Sequence, residues 1–471
     1  MKKWMIRALS ALLIAAFLPV SVLADEYDLN EGSVTVTTTK QADGSTRQDV
    51  SHKGSTKEDS TPTISSSGKT DNTITINAGA GTTANVTIKD ANIKTDEAAI
   101  KTEGTGNVNL NVEGTNTVSS GDKHAGVEKS NGGKLTIGSE SGEGKLTANG
   151  GKYGAGIGGG DSGSGNDITI TGGEIIANGG GYGAGIGGGW FGNSSDITIS
   201  GGEVTANGGR FAAGIGGGWS GNGSDITISG GEVTANGGET GAGIGGGYLR
   251  SGNDITISGG EVNATGGTTG AGIGGGFNGD GSNIAISKDS QVEAKGGAAN
   301  GISVWGASIG CGGNYDGTPG EEFLPDTSGL YTTGKVERKR GDGTVLDTIT
   351  GNVEPPVEPE KSASAEEEPD KREPLYRVLN LDGSSLKHQA QKADGVLALT
   401  AKADGAVLTG TLRALGYLQN QGIEKIAFTD GTHSAELVLS ELIAKGQPED
   451  VYVLTLGAEN TLTLNGETID F

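Results

Sequence analysis

The sequence contains little proline, cysteine or aromatic side chain, and each shortage excludes a class of protein. Proline totals 10 of 471 residues, with none between Pro62 and Pro319, so a collagen-like triple helix is excluded although 91 residues are glycine. Cys311 is the only cysteine, so no internal disulfide can form. Aromatic residues are 4% and hydrophobic residues 32% of the chain, which is too little apolar bulk for a compact α/β enzyme of this length.

Positive charge is also scarce. Lysine and arginine total 34 against 58 aspartate and glutamate residues, which gives a formal net charge of −24. Nucleic acids and anionic membrane surfaces attract basic proteins, so an acidic chain has no electrostatic basis for binding them. We therefore expect no nucleic acid among the partners of this protein.

The first 24 residues differ from the rest of the chain. Three basic residues lie within the first seven, an apolar run covers residues 8–22, and small residues around Ala24 suit cleavage before Asp25. This arrangement is typical of a secretory signal peptide. No second apolar run of about 18 residues follows. We expect a secreted protein, extracellular or loosely associated with the cell surface, whose mature chain does not insert into a membrane.

A repeat of 29 residues dominates the middle of the chain. Three motifs recur in order, Gly-Ala-Gly-Ile-Gly-Gly-Gly, Asp-Ile-Thr-Ile and Gly-Gly-Glu-Val, each with close variants. Apolar residues alternate within the motifs, which predicts three short strands per repeat with glycine-rich corners. The isoleucines that mark the 29-residue spacing are Ile157, Ile186, Ile215, Ile244 and Ile273 in the first motif and Ile168, Ile197, Ile226, Ile255 and Ile284 in the second.

Three strands and three corners describe one coil of a parallel β-helix, an all-β solenoid in which each coil stacks about 4.8 Å from the next. The absence of proline agrees with strands that are hydrogen-bonded on both sides. A small α+β domain follows, with a helix expected over 407–420. The predicted organisation is a signal peptide at 1–24, a polar N-terminal segment or cap at 25–71, the β-helix at 72–313, an irregular connector at 314–352, an acidic proline-rich linker at 353–374 and the small α+β domain at 375–471.

One position just after the glycine run carries large aromatic residues in four successive repeats. These are Trp190, Trp219, Tyr248 and Phe277. At a spacing of 29 they would stack in a column on one corner of the solenoid. Two interpretations are open: an exposed row of ring faces that binds pyranose rings, or rings that cover the glycine-rich edge and pack on each other.

A second column is acidic, and it consists of Asp167, Asp196, Asp225 and Asp254. Like charges one coil apart repel each other, so such a column needs an offsetting contact. One interpretation is a set of sites for Ca²⁺, which takes carboxylate oxygens as ligands. The other is that each aspartate caps its own turn by accepting hydrogen bonds from backbone N–H groups.

The sequence gives little support for catalysis. The four histidines, at positions 52, 124, 388 and 433, have no metal-ligand spacing. Between 151 and 287 the basic residues are only Lys152, Arg210 and Arg250, whereas polysaccharide lyases need basic groups at the substrate. An active site also breaks repeat symmetry, and the acidic column keeps it. We therefore expect a protein that is not an enzyme.

Several segments resemble the secreted bacterial carbohydrate-binding β-helix domains that accompany degraders of plant polysaccharide. They are Asn85–Ile93, Ala98–Thr102, Val108–Val112, His124–Glu128 and Gly133–Ile137. The Gly-Ala-Gly-Ile-Gly-Gly-Gly coils resemble glycine-rich repeats of surface proteins. The resemblance covers residues 72–313. It implies a right-handed parallel β-helix, bound Ca²⁺, and affinity for acidic or cellulosic glycans without catalysis.

These observations favour a secreted, non-catalytic protein that binds a plant-type or acidic polysaccharide or a cell-surface glycan. Two alternatives remain. The first is a structural surface adhesin in which the solenoid is a spacer and residues 375–471 contact the partner. The second is a polysaccharide lyase or glycoside hydrolase.

Overall fold

A computed structural model describes residues 26–297, 305–354 and 376–469, except for 382–383, 385, 394, 404, 421–422 and 448–449. It confirms the parallel β-helix: about eleven coils stack through three long sheets, and a small sheet-containing unit follows. The solenoid lies in residues 1–360, and the second compact unit lies in residues 361–471. The predicted signal peptide lies outside the described residues.

Each coil contributes one strand to each of three sheets. In the described residues, sheet 1 contains, in order, Glu26–Asp28, Thr63–Ser65, Thr83–Lys89, Asn107–Glu113, Leu135–Gly138, Ile168–Ile170, Ile197–Ile199, Gly223–Ile228, Gly252–Ile257 and Gly281–Ile286. Sheet 2 contains Ser55–Glu58, Thr46–His52, Val34–Lys40, Ile74–Ala78, Ile100–Gly104, Val127–Lys129, Ile157–Gly158, Ile186–Gly187, Ile215–Gly216, Ile244–Gly245, Ile273–Gly274 and Ile309–Gly310. Sheet 3 contains Lys69–Thr70, Asn92–Lys94, Thr115–Ser119, Lys145–Asn149, Glu174–Asn178, Glu203–Asn207, Glu232–Asn236, Glu261–Thr265, Gln291–Lys295, Lys335–Lys339 and Val345–Thr350.

The repeat sets the register of these sheets. Ile197 pairs with Ile226, and Ile226 pairs with Ile255, so identical side chains lie above one another. All three are fully buried. Because side chains alternate along a strand, the intervening threonines face outward while the isoleucines fill one continuous core.

The parallel sheets begin earlier and end later than the predicted range 72–313. Residues 25–71 are not merely a cap, because Glu26–Asp28 and Val34–Lys40 pair in parallel with the coils that follow. An antiparallel hairpin from this segment covers the first edge of sheet 2. The expected irregular connector at 314–352 instead extends sheet 3, where Lys335–Lys339 pairs with Gln291–Lys295. In these polar stretches the alternating strand pattern consists of valine and threonine, so a search for regularly spaced isoleucines does not find it.

The second unit contains two sheets and two helices among its described residues. One sheet comprises Arg377–Leu379, Ala406–Thr411, Val451–Leu456, Thr461–Leu464 and Glu467–Ile469, and the other comprises His388–Ala393, Val396–Ala401, Lys425–Thr429 and Ser434–Val438. The helices are Leu412–Asn420 and Leu439–Ile443, and a short 3₁₀ helix, Leu29–Glu31, lies in the solenoid.

The α+β class of the second unit is confirmed, but the helix expected over 407–420 begins five residues late. Residues Ala406–Thr411 form a strand that pairs with Val451–Leu456. Leu408 suits both helical and alternating patterns, so the sequence pattern could not separate them. The predicted linker at 353–374 lies almost wholly outside the described residues. Among the described helices, none has the length and apolar character needed to cross a membrane.

Candidate functional site

The aromatic residues sit on a stack of glycine-rich loops that follow the short strands of sheet 2. Close approach of successive coils requires the glycines there. Gly216, for example, has a φ of +133°, and a β-carbon on it would lie 2.0 Å from the carbonyl oxygen of Gly245. A side chain is therefore excluded from this position by both conformation and space. The tight stack brings the residue that ends each glycine run directly above its equivalent in the next coil.

The four predicted aromatic residues stack as their spacing indicates. The ring centroids of Trp190 and Trp219 are 5.9 Å apart with planes 13° from parallel. The distance is 6.4 Å from Trp219 to Tyr248, and 5.7 Å from Tyr248 to Phe277. Nearly parallel planes at these centroid distances are offset stacks, the arrangement that aromatic quadrupoles favour.

A second row, which the sequence analysis did not identify, lies beside the first. Tyr153, Tyr182 and Phe211 stack at 5.4 Å between successive centroids. The backbone N–H of Trp190 donates to the carbonyl of Tyr153 at 2.8 Å, and Trp219 donates to Tyr182 in the same way. We call the two rows together the aromatic double row. The sequence feature that indicates this second row is the 29-residue spacing of Tyr153, Tyr182 and Phe211.

Two further rings extend the aromatic double row towards solvent. Phe191 is 49% exposed, and its centroid is 4.6 Å from that of Trp190 and 4.7 Å from that of Trp219. Its φ of +59° is a conformation that bulky residues rarely adopt. Tyr315 is 63% exposed, packs edge-on against Phe277, and shares a 2.5 Å hydrogen bond with the Tyr248 hydroxyl. That hydrogen bond raises the pKa of Tyr248.

The structure combines features of both interpretations of the first row. Its rings pack on each other and on the second row, and all four are partly rather than fully exposed. The indole nitrogen of Trp190 is buried and has no hydrogen-bond partner among the described residues. The row therefore covers the glycine loops and also presents ring edges and faces to solvent. Charged groups border it: the guanidinium of Arg210 lies 5.0 Å from the centroid of Phe211 and forms an ion pair with Glu239 at 2.6 Å.

The aspartate column forms as predicted, but its turn-capping role is wrong for the described residues. Asp167, Asp196, Asp225 and Asp254 have φ between 52° and 56°, in the left-handed region where aspartate and asparagine are enriched. None accepts a hydrogen bond from a backbone N–H in the described chain, and Asn283 Nδ2 donates to Asp254 at 3.0 Å. Backbone conformation thus accounts for the residue type. In the same part of the chain, no three His, Cys, Asp or Glu side chains group closely enough to hold a metal ion.

An asparagine ladder in sheet 3 was not expected from the sequence. Asn178, Asn207 and Asn236 each donate through Nδ2 to the side-chain oxygen of the asparagine one coil before, at 2.8–2.9 Å. The ladder satisfies partly buried amides along the corner that precedes the glycine loops. The sequence feature that indicates the ladder is the Asn-Gly-Gly that recurs at the same 29-residue spacing.

A polar cleft lies where repeat symmetry breaks, before the regular coils begin. Its lining includes His124, Glu128 and Lys129, and its volume is about 760 Å³. His124 Nδ1 is 2.8 Å from Glu128 Oε2, and the Glu128 side chain is 9% exposed. The spacing of the four histidines along the chain did not indicate this His124–Glu128 pair. The sequence feature that indicates this cleft is the presence of Glu128 and Lys129 where the repeat has glycines.

Comparison with protein families matches five segments of the solenoid to a family described as beta helix repeat. The segments are residues 141–161, 168–190, 197–219, 226–248 and 255–277. No curated protein and no solved structure is significantly similar to the chain. The matched segments coincide with coils of the three-sheet solenoid, so the family match and the structure agree on repeated coils of a parallel β-helix in this part of the chain.

Proposed function

We propose that this is a secreted, non-catalytic protein that binds carbohydrate on the aromatic double row. The observation that carries the proposal is the continuous run of stacked, partly exposed rings across five successive coils. Exposed apolar surface of this kind is uncommon on a soluble protein and marks interaction sites. Aromatic faces suit the apolar faces of pyranose rings, and tyrosine hydroxyls beside them add hydrogen bonding.

The conformation of Phe191 supports the same proposal. A left-handed backbone on a bulky residue is costly, on the order of 1–3 kcal/mol, and such strain clusters at functional sites. The cost here places a large ring in solvent against Trp190 and Trp219. None of the equivalent positions in other described coils holds a ring, although all share this backbone conformation: Ser162, Ser220, Leu249 and Asn278. A ring at this position widens the apolar surface and adds little to the core.

We take the ligand to be a plant-type or acidic polysaccharide, as the resemblance to carbohydrate-binding β-helix domains implies. Secretion rests on the signal-peptide pattern of the first 24 residues. Calcium stays a candidate at the aspartate column. The repeated geometry of the aromatic double row suits a polymer with a repeating unit, because successive sugars can meet successive rings.

Substitution at Phe191 tests the proposal. Phe191→Gly removes the exposed ring and relieves the strained backbone, so we expect glycan affinity to fall about fivefold to tenfold, or ~1 kcal/mol, while stability is unchanged or rises. Leu249→Gly is the matched control, because Leu249 has the same backbone conformation, with a φ of +61°, but carries no ring. Binding is measured by glycan array and then by calorimetry on the chain lacking residues 1–24.

The outcomes separate the candidate functions. Equal effects of Phe191→Gly and Leu249→Gly on affinity would contradict a role for the rings. Binding that survives loss of both Phe191 and the Trp219 ring would favour the adhesin, with the contact elsewhere in the chain. New reducing ends or unsaturated products in the binding mixture would favour an enzyme.

A further inference from the structure

The polar cleft forms at a step on the solenoid surface. The connection after Val127–Lys129 is five residues long, 130–134, whereas the connection after Ile157–Gly158 covers 159–167. The longer loop therefore has no equivalent beneath it in the preceding coil. This step opens the cleft, whose volume is about 760 Å³. The cleft is a concave surface of the solenoid, and it is lined by side chains that the repeat lacks, such as His124, Glu128 and Lys129.

Lys129 lies in the wall of this cleft and is only 8% exposed. Glu128 pairs with Gly158 in sheet 2, so Lys129 occupies the position of Gly159. Its Nζ donates to the carbonyl oxygen of Asn131 at 2.8 Å. No carboxylate oxygen among the described residues lies within 4.0 Å of Nζ. A buried ammonium without a counter-ion is costly, so burial favours the free amine over the ammonium.

The position of Lys129 in the cleft shifts its protonation equilibrium towards the free amine. Burial lowers the pKa of Lys129 from its ordinary value, and the more distant carboxylate of Asp167 only partly opposes this. Glu128, Asp161 and Asp167 also line the cleft. An anionic ligand would meet these like charges, whereas a neutral polar ligand would not. Hydroxyl and amide side chains, among them Ser130 and Asn166, supply hydrogen bonds to such a ligand.

We propose that Lys129 is a nucleophilic amine that captures a neutral, hydroxylated aldehyde, such as the open-chain form of a small sugar, as an imine in this cleft. The proposal is independent of the aromatic double row, and it would hold if that surface bound nothing. Lysine is suited to this chemistry because the free amine is the nucleophile, and burial favours that form over the ammonium.

The step balances without a redox partner. The Nζ lone pair attacks the carbonyl carbon and forms the C–N bond, while the C=O π pair moves to oxygen. One N–H proton passes to that oxygen, which gives a carbinolamine. The C–O bond then breaks, and the oxygen leaves as water with the second N–H proton, so a C=N bond remains. The His124–Glu128 pair lines the same cleft, and its imidazole and carboxylate are groups that can accept and donate these protons.

Reductive trapping tests the proposal on the chain lacking residues 1–24. The protein is incubated with glycolaldehyde and cyanoborohydride at pH 7, and modified lysines are quantified by peptide mass spectrometry. Lys123 is the internal control, because it lines the same cleft but is exposed. We expect Lys129 to react about severalfold faster than Lys123, since burial lowers the pKa of Lys129 and so raises the fraction of its free amine. The rate at Lys129 should also reach its plateau at lower pH.

A denatured control and a lysine variant test whether the fold causes the difference in reaction rate. In urea-denatured protein the two lysines should react at similar rates, which would assign the difference to the fold. Lys129→Arg should remove the fast site and leave Lys123 unchanged, and the wild-type ratio stands by itself if that variant does not fold. Equal or slower reaction at Lys129 in the native protein would overturn the proposal. Fast labelling that sodium acetate blocks would overturn it as well, because it would indicate a charged ammonium that binds anions.

Discussion

Substitution of a single glycine in the loop stack should destabilise the solenoid far more than its small size suggests. Gly216 has a φ of +133°, and a β-carbon there would lie 2.0 Å from the Gly245 carbonyl oxygen of the next coil. The unfavourable backbone conformation costs on the order of 1–3 kcal/mol for alanine. Relief of the overlap by a backbone shift costs about 1–3 kcal/mol more. We therefore expect Gly216→Ala to lower the free energy of unfolding by about 2–6 kcal/mol.

Tryptophan fluorescence during urea unfolding measures this effect on the solenoid alone. Once residues 1–24 are removed, the remaining tryptophans, Trp190, Trp219 and Trp305, all lie before residue 360, so the C-terminal unit is silent. Gly68→Ala is the control, because a β-carbon there meets nothing within 4 Å. Ordinary surface substitutions change the free energy of unfolding by about 0.5 kcal/mol or less. If the free energies of unfolding of Gly216→Ala and Gly68→Ala differ by no more than that, the argument from close coil approach is refuted.

Three other predictions concern different parts of the chain. Asn207→Ala removes two ladder hydrogen bonds and should cost about 2 kcal/mol in urea unfolding, whereas the outward neighbour variant Thr205→Ala should cost little. In the C-terminal unit, burial alone would raise the pKa of Asp430, but hydrogen bonds from His433, Thr432 and Gly405 outweigh it and lower that pKa to about 2. The free energy of unfolding should therefore fall as the pH falls from about 4 to about 2 in the wild type but not in Asp430→Ala, as measured by circular dichroism. Calcium at the aspartate column predicts that chelation lowers the melting temperature, and an unchanged temperature would leave those residues with a conformational role only.

The repeat made the solenoid predictable because it encodes register directly. A strand pairing is usually ambiguous by one or two residues. Here, five copies of one motif at a fixed spacing leave only one pairing that places Ile226 between Ile197 and Ile255. The same logic placed the aromatic column correctly. It failed at both ends of the solenoid, where the sequence diverges but Val34–Lys40 and Lys335–Lys339 still pair with the coils.

The sequence alone could not reveal why certain residue types occupy a column. The aspartates looked like ligands or caps, yet each holds a left-handed backbone with φ near +54°. Conformation of this kind depends on how the following strand enters the sheet, which composition does not state. Tyr153, Tyr182 and Phe211 were similarly hidden. Their spacing is regular, but their contact with the first row depends on loops of successive coils meeting in space.

The cleft shows where periodic reasoning loses information. Averaging over repeats draws attention to columns that persist, such as Trp190 and Trp219. A cleft instead forms where one coil differs from its neighbour. The change in connection length from 130–134 to 159–167 creates that difference, and Lys129 stands in the cleft where the next coil holds Gly159. In a solenoid, therefore, extended binding surfaces follow from repetition, whereas individual reactive groups are to be sought where the repeat begins, ends or changes length.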